Sequence, residues 1–373
     1  MTGKVAAIVL AAGFSSRMGE FKPLLRLGET TVLERAVTLF REAGIADVRV
    51  VTGHRAEELE PFLARLDARS VENPHYREGM FSSVAAGAAT IGPEVEAFFV
   101  LPVDVPLVRS GTVRRLLDSW RQGEWDVVYP CFLGERGHPP FIAGRRAQEI
   151  AGWEGDGGLR GALAQWESDA LEVAVADETI LCDMDTPDDY RRLLERYEHR
   201  QVPTEMECRV LLNEVLRVEP HIVSHGQAVR ETAVQLAKEL NRAGCRMDVP
   251  LLASAGLLHD IARKEHDHAR TGARLLREMG YGAVADLVAT HMEITVPEGE
   301  SVGAAEVLYL ADKLVQGAQR VTLTERFGAT MERHCHEPAI IERIADRLKT
   351  AIIIQKRLEA VLGRSMSEVI DTV

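Results

Sequence analysis

The stretch LAAGFSSRMGEFKPLL, Leu10 to Leu25, follows directly on the apolar run Val5 to Leu10 and decides how the first half of the chain is read. Its small residues, among them Ala11, Ala12, Gly13 and Ser15, carry little side-chain bulk, so successive backbone amides can close on phosphate oxygens. Arg17 and Lys22 then supply the charge that neutralises a phosphate tail. The order departs from GxxxxGK[ST], so a P-loop is excluded. An apolar strand that runs straight into such a turn is the pattern of a ligand-binding strand end in an open α/β sheet.

Working outward, further strand-like runs fall at Val48 to Thr52, Ala97 to Leu101, Val127 to Cys131 and Leu171 to Val175. Helix-period stretches alternate with them at Thr31 to Glu42, Ala56 to Leu66, Ser82 to Ile91 and Gly111 to Arg121. That alternation predicts an α/β unit with a Rossmann-like, mainly parallel sheet wrapped by helices. Thr186-Pro187-Asp188 adds a cap and a first-turn proline for a helix to about Tyr197. Beyond Gln201-Val-Pro-Thr204 the strand alternation stops and long helical periodicity takes over. This predicts two domains, 1–199 and 200–373, the second all-α, with helices near 205–216, 225–243, 250–262, 268–279, 284–291, 303–314 and 339–362.

Composition agrees with two soluble cores: 373 residues, 46% hydrophobic and 27% charged. A net charge of −13 argues against broad attraction to nucleic acid or anionic membranes, so any phosphate must be gripped locally. The five cysteines are odd in number and form no CxxC pair, which fits reduced thiols in the cytoplasm. The opening MTGKVAAIVLAAG superficially fits a signal peptide, but Arg17, Met18 and Lys22 follow at once in a pattern of their own. No run of about 18 apolar residues announces a membrane helix.

Several separated motifs then agree in order: LAAGFSSRMGEFKPLL, GMFSSVAAG (Gly79 to Gly87), LPVDVPLV (Leu101 to Val108), GHPPFI (Gly137 to Ile142), GDGGLR (Gly155 to Arg160) and DMDTPDDY (Asp183 to Tyr190). Over residues 4–197 the sequence resembles the nucleotidyltransferases of molybdenum cofactor biosynthesis, particularly their cytidylyltransferase branch. The resemblance implies a GT-A-like fold, a nucleotide held by Leu10 to Gly13, Ser15, Arg17 and Lys22, and Ser83 near the base. It implies Asp104 and Asp185 as carboxylates for Mg²⁺. Two carboxylates arriving from remote strand ends suit that hard cation, which keeps its other positions for phosphate oxygens and water. The implied donor is CTP, because LAAG resembles the cytidylyl branch whereas the guanylyl branch shows LAGG. The implied acceptor is a molybdopterin-type phosphate, with a sugar or polyol phosphate as the alternative.

In the second half, the apolar run Leu251 to Leu258 ends in His259-Asp260, which places costly polar groups beside a core where a metal would compensate them. His225 precedes it on a helix and Asp312 follows on another. Two imidazoles and two carboxylates suit Mn²⁺, Fe²⁺, Ni²⁺ or Zn²⁺, and metal-bound water becomes a nucleophile. The order His, His-Asp, Asp over about residues 218–322 resembles the HD-domain phosphohydrolases. HAxxGAxxL from His268 and ATHMEI with His291 fit that group as well, and the resemblance offers both histidines to substrate phosphate or a second metal. Arg17, Lys22, Asp104 and Asp260 are thus expected to carry the two chemistries. A regulatory nucleotide sensor without turnover is the rival reading of the second domain. His266 reads as solvated and His334-Cys335-His336 as fortuitous spacing on a loop. The apolar stripe from Ile340 to Leu362 reads as core packing or a homodimer seam.

Overall fold

The computed structural model describes residues 4–296 and 301–370 and divides the chain into two compact units, Met1–Arg200 and Gln201–Val373.

The first unit opens with β1 (Lys4–Leu10), a two-residue hairpin β2 (Arg26–Leu27) and β3 (Thr30–Thr31), then α1 (Val32–Glu42), β4 (Asp47–Thr52), α2 (Ala56–Arg65), β5 (Arg69–Glu72) and α3 (Met80–Ala88). It continues through β6 (Val95–Pro102), α4 (Ser110–Trp120), β7 (Val127–Phe132), β8 (Glu135–Arg136), β9 (Phe141–Ala143), α5 (Ala147–Ala151), α6 (Gly158–Leu163), β10 (Ala170–Ala174) and α7 (Pro187–Glu198). The sheet order is β10-β7-β9-β6-β1-β4-β5, with β8 alongside β7. Pairings of β1 with β4 and β6, of β4 with β5 and of β7 with β10 are parallel, while β9 runs antiparallel between β6 and β7. The mainly parallel α/β sheet expected from the sequence is therefore present. β9 and β5 were not anticipated, because three residues after a Pro-Pro pair and the polar tetrad Arg-Ser-Val-Glu carry no strand alternation.

The strands in the middle of this sheet are buried on both faces, so β1 and β6 read as continuous apolar runs rather than alternating ones. Helix α1 is set by a capping box, Thr31 with Glu34, and buries Val32, Leu33, Ala36, Val37 and Phe40. Its Phe40 meets Phe99 of β6, which stacks on Phe141 of β9 at 4.0 Å between ring centroids.

The second unit is helical: α8 (Glu205–Val210), α9 (Pro220–Arg242), α10 (Val249–Leu258), α11 (His268–Glu278), α12 (Gly282–Thr290), α13 (Ala304–Lys313), α14 (Leu323–Arg333), α15 (Pro338–Leu362) and α16 (Met366–Ile370). A small hairpin, β11 (Val315–Gln316) with β12 (Gln319–Arg320), interrupts the helices. Helix α9 starts five residues before His225, where Pro220 occupies the first turn, and α10 ends at Leu258 rather than near Ala262. The predicted helix 205–216 splits into α8 and a π-turn at Leu211–Val215. Leu252 and Leu258 of α10 are fully buried, each worth about 1.5–3 kcal/mol by removal from water.

Two glycines set the distance between α9 and α10. A Cβ on Gly226 would lie 2.6 Å from the Leu257 carbonyl oxygen, and one on Gly256 would lie 2.8 Å from the Arg230 Cα. The backbones touch there. That contact sits one residue from His225 and three from His259.

Candidate active sites

In the first unit, the pocket lies beyond the C-terminal ends of β1 and β6, and backbone bonds extend the sheet past the strands to hold it. Val103 N donates to Leu10 O, Ala11 N to Val51 O, His54 N to Ala12 O and Met184 N to Asp104 O, all at 2.9–3.2 Å. The last bond brings Asp104 beside the segment carrying Asp185. Asp185 is fixed in turn by the start of α7, where the Asp189 carboxylate accepts from the backbone N–H groups of both Asp185 and Thr186. The Thr186 hydroxyl completes a capping box with Asp189.

The resulting cavity, about 240 Å³, is lined by Leu10, Ala11, Ala12, Gly13, Ser15, Arg17, Lys22, Ser83, Asp104 and Asp185. These are the sequence-derived candidates of this half, brought together from four separate segments. Lys22 is at their centre: its Nζ lies 3.1 Å from Asp104 Oδ2 and 2.8 Å from Asp185 Oδ1. Arg17 reaches Asp185 Oδ2 at 2.8 Å from a largely exposed position. Ser15 has a left-handed backbone, φ 56°, and its hydroxyl accepts the Lys22 N–H at 3.0 Å, which folds the turn back on itself. The two carboxylates thus converge on one cation, the arrangement a divalent ion would require, and the donor set of hard oxygens fits Mg²⁺.

Sequence reasoning missed the pocket's aromatic wall and its buried anchor. Phe14 packs on His54 and Tyr76 with centroids 5.1 and 5.2 Å away. Asn73 is buried and donates to the hydroxyls of Ser82 and Ser83, while its own carbonyl accepts from His75 N. His138 has its ring pushed below the usual histidine range by burial, against the pull of Asp104 and Asp183.

In the second unit, five helices deliver six side chains to one place. His225 comes from α9, His259 and Asp260 from the end of α10, His268 from the first residue of α11, His291 from the end of α12 and Asp312 from α13. Three imidazoles are oriented alike. The Nδ1 of His225 donates to Gly317 O, that of His259 to Gly256 O and that of His291 to Val288 O, at 2.7–2.8 Å. A carbonyl can only accept, so each Nδ1 carries the proton and each Nε2 is turned inward.

Around Asp312 Oδ1 stand His225 Nε2 at 3.2 Å and His259 Nε2 at 3.6 Å. Asp260 divides its oxygens between two groups. Oδ2 faces His259 Nε2 at 3.6 Å and His225 Nε2 at 4.0 Å, while Oδ1 faces His268 at 3.3 Å and His291 at 3.5 Å. Burial opposes ionisation of Asp260, and the imidazoles of His268, His291 and His259 with the Arg263 guanidinium outweigh it, holding the carboxyl well below its ordinary range. Asp312 behaves alike, with Lys313 and then His225 and His259 outweighing burial. Burial would likewise strip the proton from His259, yet the Asp312 and Asp260 carboxylates raise its affinity for positive charge.

His259 Nε2 is completely buried and has no hydrogen-bond partner. An inward-facing lone pair among carboxylate oxygens calls for a cation between them. His225, His259 and Asp260 form one set whose ligand atoms lie within 4.8 Å of one another, and Asp260, His268 and His291 form another. Imidazole and carboxylate donors of this kind fit a divalent transition metal. His266 and the His334-Cys335-His336 run belong to neither group.

Residues 7–173 match the family described as the MobA-like NTP transferase domain, and residues 222–351 match the HD domain. The chain thus carries a MobA-like NTP transferase domain followed by an HD domain. It is 27% identical over 194 residues to the molybdenum cofactor cytidylyltransferase of Escherichia coli, a match covering 52% of this chain and 97% of the relative. A probable molybdenum cofactor guanylyltransferase of Natranaerobius thermophilus is 24% identical over 143 residues, 38% of this chain and 67% of that one. The bifunctional IPC transferase and DIPP synthase of Rubrobacter xylanophilus is 43% identical over 119 residues, covering 30% of this chain and 26% of that protein. The transferase domain is therefore an enzyme domain of the nucleotidyltransferase class, joined to an HD domain whose chemistry is that of metal-dependent proteins. Among the described residues no helix is long and apolar enough to cross a membrane.

Proposed function

We propose that the transferase domain, residues 1–199, is a Mg²⁺-dependent cytidylyltransferase that caps a molybdopterin-type phosphate with CMP. The observation that carries this reading is the meeting of Asp104 and Asp185 on the Lys22 ammonium at the floor of the 240 Å³ cavity. A phosphate oxygen of the acceptor attacks the α-phosphorus of CTP, the bond from that phosphorus to the β-phosphate bridging oxygen breaks, and pyrophosphate leaves. With its second pKa of about 6, a phosphate monoester is already mostly dianionic at neutral pH, so no general base is needed.

Bound Mg²⁺ would be held by Asp104 and Asp185 and would neutralise charge on the reacting phosphates. The chain's own contribution is positioning. The backbone of Leu10 to Gly13 and the Ser15 turn shape the floor, Lys22 and Arg17 supply positive charge to the phosphates, and Ser83, locked by Asn73, faces the pocket. The 27% identity across 97% of a cytidylyltransferase favours CTP; the guanylyltransferase relative leaves GTP as the competing donor, and a sugar or polyol phosphate is the alternative acceptor. Pyrophosphate release should be measured for CTP, GTP and ATP against molybdopterin and sugar or polyol phosphates, with Asp104→Ala as control. The assignment fails if CTP with molybdopterin yields no more pyrophosphate in wild type than in the control.

For the domain over residues 200–373, we infer a metal-dependent phosphohydrolase whose metal would be held by two ligand sets that share Asp260. Support comes from the two ligand sets that share this carboxylate, one oxygen toward each. Metal in these sets would acidify bound water and polarise a phosphoester. His225, His259 and Asp312 would hold one ion and His268 with His291 the other, with His225, His259 and His291 kept in orientation by backbone carbonyls. A panel of phosphoesters incubated with Mn²⁺, Fe²⁺, Ni²⁺ or Zn²⁺ tests it. Tight ligand binding with no turnover of any ester would instead make this half a nucleotide sensor.

A further inference from the structure

We propose that Lys313 is a positioning residue of the HD-domain metal site, taking one oxygen of Asp312 for itself and leaving the other to the metal. The inference rests on the metal reading above and adds a residue to it.

Neighbouring residues on a helix point about 100° apart, so a lysine directly after Asp312 on α13 would ordinarily face away from it. Lys313 does not. It is only 6% exposed, and its side chain turns back so that Nζ hydrogen-bonds Asp312 Oδ2. The same ammonium donates to the His291 backbone carbonyl at 3.1 Å and lies 4.5 Å from the Tyr309 ring centroid. Burying an ammonium is costly, and these three partners are what offset it here.

The consequence falls on Asp312. Its Oδ2 is engaged by Lys313, while Oδ1 alone faces His225 and His259. A carboxylate with both oxygens free can chelate a metal through both. Lys313 holds this one to a single donor atom and cancels one of the two carboxylate charges of the site. Through the His291 carbonyl it also ties the end of α12, which carries a residue of the second ligand set, to the helix bearing Asp312.

The test uses the full chain in an Asp104→Ala background, so that the transferase pocket contributes no carboxylate pair. After metal removal by chelation, Mn²⁺ affinity is measured by calorimetry and Co²⁺ coordination by visible absorption, for Lys313, Lys313→Gln and Lys313→Met. Both substitutions remove the positive charge, so both should tighten Mn²⁺ binding by roughly threefold or more. The Gln amide can still hold Oδ2, so its Co²⁺ spectrum should match that of Lys313. The Met spectrum should change as Asp312 gains a second donor atom. Should the Met variant fail to fold, the Gln affinity alone decides: unchanged or weaker Mn²⁺ binding overturns the proposal. A purely structural lysine would lower Tm and leave both metal readouts where they were, which also overturns it. If the Lys313 protein itself binds neither ion in a His259-dependent way, the metal reading falls and takes this inference with it. Binding that the variants do not alter defeats the Lys313 role alone.

Discussion

The two sites hold their carboxylates in opposite ways. Asp104 and Asp185 are partly exposed, on loops beyond a sheet, and already neutralised by Lys22 and Arg17. Asp260 and Asp312 are deeply buried at helix ends, where each has one cationic neighbour, Arg263 and Lys313, and both face a cluster of imidazoles, one of which has a nitrogen with no partner. The first arrangement suits charge that arrives with a substrate and departs with a product. The second suits a resident ion, because a persistent cation relieves buried imidazole and carboxylate donors that Lys313 and Arg263 satisfy only in part. Loops position transient partners, and packed helices position permanent ones.

The sharpest way to break that contrast is at Lys22. Lys22→Met should cut pyrophosphate release by about 10²–10³-fold, the size of losing one preorganised charge partner in a transition state. Steady-state kinetics at saturating Mg²⁺ would check it, and near-normal turnover would mean that Lys22 only fills space between the carboxylates. A second experiment tests permanence. His259→Ala should weaken transition-metal retention at least about 10-fold, more than loss of an outer-shell partner usually costs at the low end, while transferase turnover stays unchanged. Metal analysis after dialysis against a weak chelator gives the comparison.

A smaller effect is expected where the helices touch. Gly256→Ala places a methyl against the α9 backbone and should destabilise the HD domain by about 1–3 kcal/mol, read from its denaturant midpoint. The smallest concerns acid. Hydrogen bonds from the Thr186 hydroxyl and backbone hold the Asp189 carboxyl down to about 2. An unfolded aspartate titrates near ~3.9, so the folded state gains from this group above that pH and loses the gain as pH falls through about 2. Acid unfolding of Asp189→Asn should show a shallower fall over that window than wild type. An identical profile would show that the cap beneath Asp185 contributes nothing.

The sequence was legible where chemistry and periodicity coincide. Lys22 and Arg17 stand in one contiguous motif after an apolar strand, and His259-Asp260 terminates an apolar helix, so polar residues announced themselves against an apolar background. Legibility failed where a residue acts through partners distant in the chain. Asn73 reads as an ordinary turn residue until Ser82 and Ser83 are seen beside it. Lys313 reads as a solvated cation at a helix end until its side chain is seen folded back into the core. Helix α14, with only Leu323 and Phe327 buried, has too thin an apolar stripe to be recognised from its pattern.

The bare contact of α9 and α10 at Gly226 and Gly256 has a mechanical corollary. At these two glycines no side chain separates the backbones, so a tilt of either helix there is handed directly to the other. His225 and His259 therefore travel as a single jaw, while His268 and His291 arrive from outside that clamp. Slow amide exchange should reveal it: protection around residues 226 and 256 would be lost together, at one opening free energy, before or after but never midway through the release of α11 and α12.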